Sequence, residues 1–287
     1  MNAKAKRRLE LNLQALMGRQ PGVAQRICLS VDDRDVNDDD LREASIRFHS
    51  DVLPLTLSQE ERRGLLETCP AKQPIVLLGA GDGTLAARAL DRAAKAGVCV
   101  WDRDPAVIRV LLATDDFREA IRRGRLKIYM GADLVDLLGQ EGTPSTIWHP
   151  TARRMYRLEG RLVDDGAVSE RRAMVCTGGL FVDDLAEALR ARGYSVLPLE
   201  LVRVSTEEVD HGVRTVVPEV ISGINYVRGT EGLADRHQTP VLCWEIDPTT
   251  DRILPPDADT EHFHLFTYRD AAVSGFQEAG FKHVQYH

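Results

Sequence analysis

The chain has 287 residues, of which 43% are hydrophobic, and a formal net charge of -7. That length predicts roughly two domains with cores of their own, and the acidic balance argues against nucleic acid as a partner. No run approaches the ~20 apolar residues of a membrane span, and the N-terminus lacks the apolar core of a signal peptide. The five cysteines form no C-x-x-C pair. We therefore expect a cytoplasmic protein without a membrane span, with reduced cysteines.

The first segment, residues 1–70, is predicted to be a helical lead-in. Apolar residues recur at helical spacing over 4–17, and Ser58 caps a second helix that ends before Pro70. Between these helices, the apolar run at 27–31 predicts a short strand.

The next segment has the order of a nucleotide-binding βαβ unit. A buried strand at 75–78 is followed by a helix over 85–96 and by a second strand that ends in Asp102. Three glycines fill the turn between the first strand and the helix: Gly79, Gly81 and Gly83. Such glycines let the backbone approach a ligand, and Asp102 can accept hydrogen bonds from ribose hydroxyls. The same glycines can instead serve helix–sheet packing alone. We predict a Rossmann-like, nucleotide-binding-type domain over 71–156.

A second acid, Asp133, follows the predicted strand at 126–130. A glycine loop, an acid after the second strand and an acid near a later strand resemble class I methyltransferases, and residues 78–84 resemble spermidine-synthase-like sequences. The resemblance implies S-adenosylmethionine as the cofactor, with Asp133 near the adenine. However, no Asn/Asp-Pro-Pro-Tyr motif follows, so methyl transfer is the alternative rather than the main hypothesis.

The second half of the chain alternates strands and helices again, which predicts a second doubly wound domain over 172–287. The predicted elements lie at 173–177, 182–192, 194–199, 218–225, 230–237, 239–248, 262–267, 269–279 and 282–286. The predicted fold class is therefore α/β, with two Rossmann-like doubly wound parallel-sheet domains after the helical lead-in.

The second half also carries a family resemblance. Its segments 188–194, 218–225, 239–248, 266–270 and 279–281 together resemble the N-terminal domain of CgeB/YkvP-type (spore-maturation-like) glycosyltransferases. The preceding domain is similar to modules found in motility-associated glycosyltransferases. The resemblance implies a GT-B architecture, a nucleotide-sugar donor and a carbohydrate or glycoprotein acceptor, such as a bacterial surface glycan. Residues 172–287 would be the acceptor-side domain.

In that family, the strand that corresponds to 283–286 leads into a second domain that binds most of the donor. This chain stops at His287. We therefore expect the donor-binding half to be absent here, and to be supplied by a partner chain or a homo-oligomer.

Candidate site residues lie where the predicted strands of the second domain end, because open α/β sheets bind ligands at that edge. Asp247 is a candidate base for an acceptor hydroxyl, or else a turn residue before proline. Asn225 could bind a sugar hydroxyl or form a turn. Gly178 and Gly179 could let the backbone approach a diphosphate or an acceptor, or could simply form a turn.

A metal site is not predicted. His262 and His264 share one face of a strand and could bind a metal with His149 or Asp259, but no third ligand lies at a recognisable spacing. Three functions remain open: a glycosyltransferase, a methyltransferase built on 79–102, and a non-catalytic binding or assembly module.

Overall fold

The computed structural model describes residues 1–29, 35–139, 145–166, 168–178, 180–246 and 253–287. Two predicted site residues, Asp247 and Gly179, lie outside this part of the chain. The chain divides into two compact units, residues 1–160 with 202–208, and residues 161–201 with 209–287. Within the described ranges, no helix is long and apolar enough to cross a membrane.

The N-terminal segment contains helices and a small antiparallel sheet. Its elements are α1 (Ala3–Met17), α2 (Pro21–Leu29), β1 (Val36–Asn37), β2 (Ser45–Phe48), β3 (Asp51–Pro54) and α3 (Gln59–Glu67). The helical prediction is confirmed at α1 and at α3, where Ser58 and Glu61 form a capping box. The strand predicted at 27–31 is wrong at 27–29, which continue α2. Ala24 and Ile27, three residues apart, are both buried, so one helical face packs inward.

The rest of the first unit is a parallel sheet with helices between its strands. Its strands are β4 (Ile75–Leu78), β5 (Val98–Asp102), β6 (Leu126–Met130) and β7 (Ser145–Trp148). Its helices are α4 (Thr84–Ala93), α5 (Pro105–Thr114), α6 (Arg118–Arg122), α7 (Leu134–Leu138) and α8 (Pro150–Met155), and α9 (Arg157–Asp165) follows them. The strand order is β6-β5-β4-β7. All four residues of β4 are buried, as expected of a central parallel strand.

The N-terminal segment is attached to this sheet through Asn12 of α1. The Asn12 amide nitrogen donates to the carbonyls of Leu112 at 2.6 Å and Asp115 at 2.7 Å, and its oxygen accepts from the Phe117 N–H at 2.9 Å. Asn12 is buried, so these bonds are shielded from water. The lead-in is therefore part of the first compact unit.

The second unit has a six-stranded sheet in which every pairing is parallel. Its elements are β8 (Arg172–Cys176), α10 (Val182–Arg190), β9 (Ser195–Leu199), α11 (Thr206–Val216), β10 (Val220–Ile224), α12 (Thr230–His237), β11 (Val241–Glu245), β12 (Phe263–Thr267), α13 (Asp270–Ala279) and β13 (His283–Tyr286). The first three residues of α11, 206–208, belong to the first unit. Their order is β13-β12-β11-β10-β8-β9. The predicted α/β class with parallel sheets is therefore confirmed.

The strand order places a topological switch point between β8 and β10. The chain leaves β8 for β9 on one side and then returns to add β10 on the other. In open parallel sheets, the crevice at the carboxyl ends of the two strands beside such a point is the usual ligand position.

Candidate functional site

The glycine loop after β4 lies directly against α8. Gly79 and Gly81 have positive φ angles of 99° and 54°. A Cβ atom on Gly79 would lie 2.3 Å from the Cβ of Ala152, and one on Gly81 would lie 2.7 Å from the His149 ring. Both glycines are therefore needed for close packing within the protein, which was the second of the two predicted alternatives.

Gly83, the third glycine, and Asp82 before it lie at the start of α4 and determine its local contacts. A Cβ on Gly83 would lie 2.9 Å from the Leu111 carbonyl oxygen, so α5 approaches the loop closely. The Asp82 carboxylate accepts hydrogen bonds from the Thr84 N–H at 3.0 Å and from its hydroxyl at 2.7 Å. The N-terminus of α4 is thereby capped by its own loop.

Asp102 lies at the end of β5, as predicted, but its carboxylate is already bonded within the protein. Its Oδ2 accepts from the Ala80 N–H at 2.8 Å, and its Oδ1 accepts from the Tyr156 hydroxyl at 2.6 Å and the Asp104 N–H at 2.9 Å. Burial raises the pKa of Asp102 to about 6, against the lowering effect of these hydrogen bonds. The sequence analysis expected Asp102 to accept a hydrogen bond from a ribose hydroxyl, and in the structure it accepts one from the Tyr156 hydroxyl.

Asp133 is likewise engaged, in a buried cluster with Arg26 and Glu208. The Arg26 guanidinium lies 2.7 Å from Oδ2 of Asp133 and 2.7 Å from Oε2 of Glu208. Burial alone would lower the pKa of Arg26, but the two carboxylates raise it above its ordinary value. The Met130 N–H also donates to Asp133, at 2.9 Å. The acid that the methyltransferase resemblance assigned to adenine is therefore ion-paired with α2.

His149 caps α8 rather than facing solvent. Its Nδ1 accepts from the Thr151 N–H at 3.3 Å, and its side chain is buried. Burial lowers the pKa of His149 to about 4, partly offset by the Leu55 carbonyl and by Glu61. The imidazole is therefore neutral at pH 7.

An aromatic cluster completes this edge of the first unit. The Trp101 ring makes edge-to-face contacts with Trp148 and Tyr156, at centroid distances of 6.4 and 5.6 Å. The Arg103 guanidinium lies 4.6 Å from the Tyr156 ring centroid. Together with the glycine and acid contacts, this cluster favours a packing role for the predicted nucleotide cradle.

Asp102 and His149 have opposite effects on how the free energy of unfolding depends on pH. Asp102 binds its proton more tightly in the folded state, so its effect lowers the free energy of unfolding as pH rises from 3.8 to about 6. His149 binds its proton less tightly when folded, so its effect raises the free energy of unfolding between about 4 and 6.5. In the wild type, the two effects largely cancel.

We expect Asp102→Asn to expose the His149 effect. Relative to wild type, the variant's free energy of unfolding should rise by about 3 kcal/mol between pH 4 and 7, because the Asp102 penalty is gone. Urea unfolding at several pH values measures this difference, in which the other groups cancel. His149→Gln should give a slope of the opposite sign, and a difference independent of pH would contradict both assignments.

In the second unit, four residues form a row at the carboxyl edge of the sheet. In this sheet, Val175 pairs with Ser222, Ile224 pairs with Trp244, and Glu245 pairs with Thr267. Extending these registers puts four residues side by side across β8, β10, β11 and β12. We call them the edge row: Gly178, Asn225, Glu245 and Thr267. The row crosses the switch point between β8 and β10.

Gly178 differs from the glycines of the first unit. It has a φ of 89°, and no described atom lies within 4 Å of a Cβ built on it. Gly178 therefore leaves open space beside the switch point, whereas Gly79 and Gly81 are covered by α8.

Asn225 ties β10 to β11. It has a φ of 61°, its N–H donates to the Trp244 carbonyl at 2.7 Å, and its side-chain oxygen accepts from the Ile246 N–H at 3.0 Å. This is the turn role that the sequence left as one of two alternatives.

Glu245 is the edge-row residue that sequence reasoning missed. It is 6% exposed, and its Oε1 accepts from the Arg269 guanidinium at 2.6 Å. Its Oε2 is buried and has no hydrogen-bond partner in the described part of the chain. The Arg269 N–H donates to the Thr267 hydroxyl at 3.1 Å, which fixes the loop that carries the guanidinium. A buried carboxylate oxygen with a vacant lone pair can accept a hydrogen bond from a ligand hydroxyl.

The histidines considered as metal ligands have other neighbours. His262 is hydrogen-bonded to the Gln238 side chain at 2.9 Å, and His264 stacks on His283 at a centroid distance of 4.7 Å. No cluster of three or more His, Cys, Asp or Glu side chains suited to a metal ion occurs among the described residues.

Comparisons with known proteins add little to this geometry. No protein-family model matches the chain, and no curated protein matches it either. A solved structure, that of the MAf glycosyltransferase from Magnetospirillum magneticum AMB-1, is similar at 10% identity and a TM-score of 0.37. The match covers 91% of this chain and 63% of that one, so this chain spans less than two thirds of the solved protein.

Proposed function

We propose that this chain is a glycosyltransferase-like protein whose second unit is a CgeB/YkvP-type acceptor-side domain. The full reaction would transfer a sugar from a nucleotide-sugar donor to a hydroxyl of a carbohydrate or glycoprotein. The observation that supports this most is the vacant Oε2 of buried Glu245, which shares the edge row with Gly178, the glycine beside open space.

Glu245 has the chemistry that an acceptor site needs. The Arg269 guanidinium donates to Oε1 at 2.6 Å, which fixes the position of the Glu245 side chain. An acceptor hydroxyl can donate to Oε2, which orients its oxygen for attack. Oε2 can take the hydroxyl proton as the acceptor oxygen bonds to the sugar and the bond from the sugar to the departing nucleoside diphosphate breaks. Asp247, the base proposed from sequence, follows two residues later and is a second candidate for that proton. No metal is needed for this step.

The first unit, in this proposal, stabilises the protein and binds no cofactor in its glycine loop. S-adenosylmethionine-dependent methyl transfer is the second candidate. It has less support, because Asp102 and Asp133 already accept hydrogen bonds from Tyr156 and Arg26.

We expect Glu245→Gln to weaken acceptor binding with little change in fold. The amide has the same shape but cannot act as a base, and its NH₂ group would face a ligand donor. A glycan array probed with labelled wild-type chain should identify a bound oligosaccharide, and the variant should bind it at least about tenfold more weakly, as expected for loss of a charged hydrogen bond.

Glu219→Gln is the matched control. Glu219 belongs to the same unit but is half-exposed and pairs with Arg171 at the surface. The Glu219→Gln substitution should leave glycan binding unchanged. A wild type that binds no glycan, or a Glu245→Gln variant that binds as well as wild type, would refute the proposal.

A further inference from the structure

A groove of about 650 Å³ lies between α3 and α4 in the first unit. Its volume falls within the range of small-molecule sites, about 300–1,000 Å³. One wall is a stripe of α3 that includes Arg62, Leu66 and Glu67, and the other is a stripe of α4 that includes Arg88 and Arg92. We call it the α3–α4 groove.

The walls of this groove are cationic on both sides. Its positively charged residues are Arg62, Arg63, Lys72, Arg88 and Arg92. Only two carboxylates, Glu67 and Asp91, line it as well. Neighbouring amphipathic helices usually pack through apolar stripes, but α3 has Leu66 as its buried residue. Because the whole chain has a net charge of -7, this local excess of positive charge is opposite in sign to the rest of the protein.

Several of these cations have partners within the protein. Arg92 donates to the Cys69 carbonyl at 2.8 Å, Arg62 donates to the Thr84 hydroxyl at 3.2 Å, and Arg63 lies 3.6 Å from the carboxylate of Glu67. These bonds fix three guanidinium groups along the groove without neutralising Arg62 or Arg92.

Two cations are left for a ligand. Arg88 of α4 and Lys72 of the turn before β4 are exposed, and their side chains make no hydrogen bond or ion pair within the described residues. Like charges that line one groove repel one another, so an anion bound in the groove would relieve that repulsion.

The backbone around the groove is strained. Lys72 and Ala94 both line it, and both have positive φ angles, 64° and 51°, although neither is glycine. The Lys72 N–H donates to the Arg92 carbonyl at 3.1 Å, which holds the turn in this conformation. Strained non-glycine residues cluster at binding sites because the surrounding structure must hold them there.

We propose that the α3–α4 groove binds a small polyanion that carries phosphate groups, such as a diphosphate or a phosphate ester. Arginine guanidinium groups match the phosphate geometry with paired N–H donors, and Lys72 adds a point charge. This site is separate from the edge row and does not depend on the function proposed for it.

Isothermal titration of the full chain with inorganic pyrophosphate, at constant ionic strength, tests this site. We expect saturable binding that weakens at least about tenfold in the double variant Arg88→Gln/Lys72→Gln, because each of its two substitutions removes charge-assisted hydrogen bonds to the ligand. Lys4→Gln/Lys6→Gln removes the same charge from exposed positions of α1 and should leave the affinity unchanged. Circular dichroism checks the fold of both variants, and the single Arg88→Gln variant is used if the double one unfolds.

Three results would overturn the proposal. The first is the absence of pyrophosphate binding to wild type. The second is equal weakening in the groove variant and the α1 variant, which would indicate a general charge effect. The third is tighter binding of citrate than of pyrophosphate, which would indicate a carboxylate site instead.

Discussion

Asp102→Ala should destabilise the first unit by about 3–5 kcal/mol. The substitution removes the acceptor of three buried or partly buried donors, the Tyr156 hydroxyl and the N–H groups of Ala80 and Asp104. Each buried donor left without a partner costs about 1–3 kcal/mol, and the small cavity adds to this. Part of this destabilisation is offset, because the variant no longer has to bury an ionised carboxylate. Urea unfolding at pH 7 measures the change.

Tyr156→Phe is the companion variant. It removes one hydrogen bond and keeps the ring against Trp101, so we expect about 1–2 kcal/mol. The double variant should cost less than the sum of the two single ones, because both remove the same hydrogen bond. If Asp102→Ala lay within about 0.5 kcal/mol of wild type, as ordinary surface changes do, the buried network would not have the strength assigned to it.

Arg26→Ala should destabilise the same unit by a similar amount, about 3–5 kcal/mol. Arg26 is the shared partner of Asp133 and Glu208, and all three side chains are buried. Removing the guanidinium takes away the positive charge that Arg26 supplies to both carboxylates, and removing one partner of a buried ion pair is strongly destabilising. Thermal and urea unfolding of the variant measure the loss.

The sign of the pH effect separates this cause from simple loss of packing. Buried carboxylates that lose the nearby Arg26 charge bind protons more readily than in the wild type, so the Arg26→Ala deficit should shrink as pH falls from 7 to 4. Adding Asp133→Asn and Glu208→Gln to Arg26→Ala should also recover much of the lost stability. A deficit that is independent of pH and not recovered by these amides would mean that packing, rather than charge, accounts for the effect.

The elements around the glycine loop could be predicted from sequence because their signals are local. A four-residue apolar run predicts β4, the glycines predict the turn, and Asp102 falls at the end of β5 as expected. The side chains that bond to Asp102 and Asp133 come from distant parts of the sequence. Tyr156 lies 54 positions from Asp102, and Arg26 lies 107 positions from Asp133. A single sequence gives no sign of these contacts.

Short elements and isolated polar residues were harder to predict. Strands β1 to β3 have only two to four residues, too few for an alternating pattern, and they were not predicted. Glu245 was missed because it ends an apolar strand whose carboxyl edge was assigned to Asp247. The rule that identified Asp102, an acid as the last residue of a buried strand, would have selected Glu245 as well.

In the proposed function, ligands bind the second unit and no nucleotide binds the glycine loop of the first unit. A thermal-shift panel of the wild-type chain with S-adenosylmethionine, S-adenosylhomocysteine, NAD, UDP, GDP and their sugar conjugates, together with the glycan found on the array, tests it most directly. A ligand at 100 times its dissociation constant adds about 2.7 kcal/mol to stability. We predict stabilisation by the glycan, lost in Glu245→Gln, and none by the adenosyl compounds or NAD. Stabilisation by S-adenosylmethionine that Asp102→Asn abolishes would contradict the account.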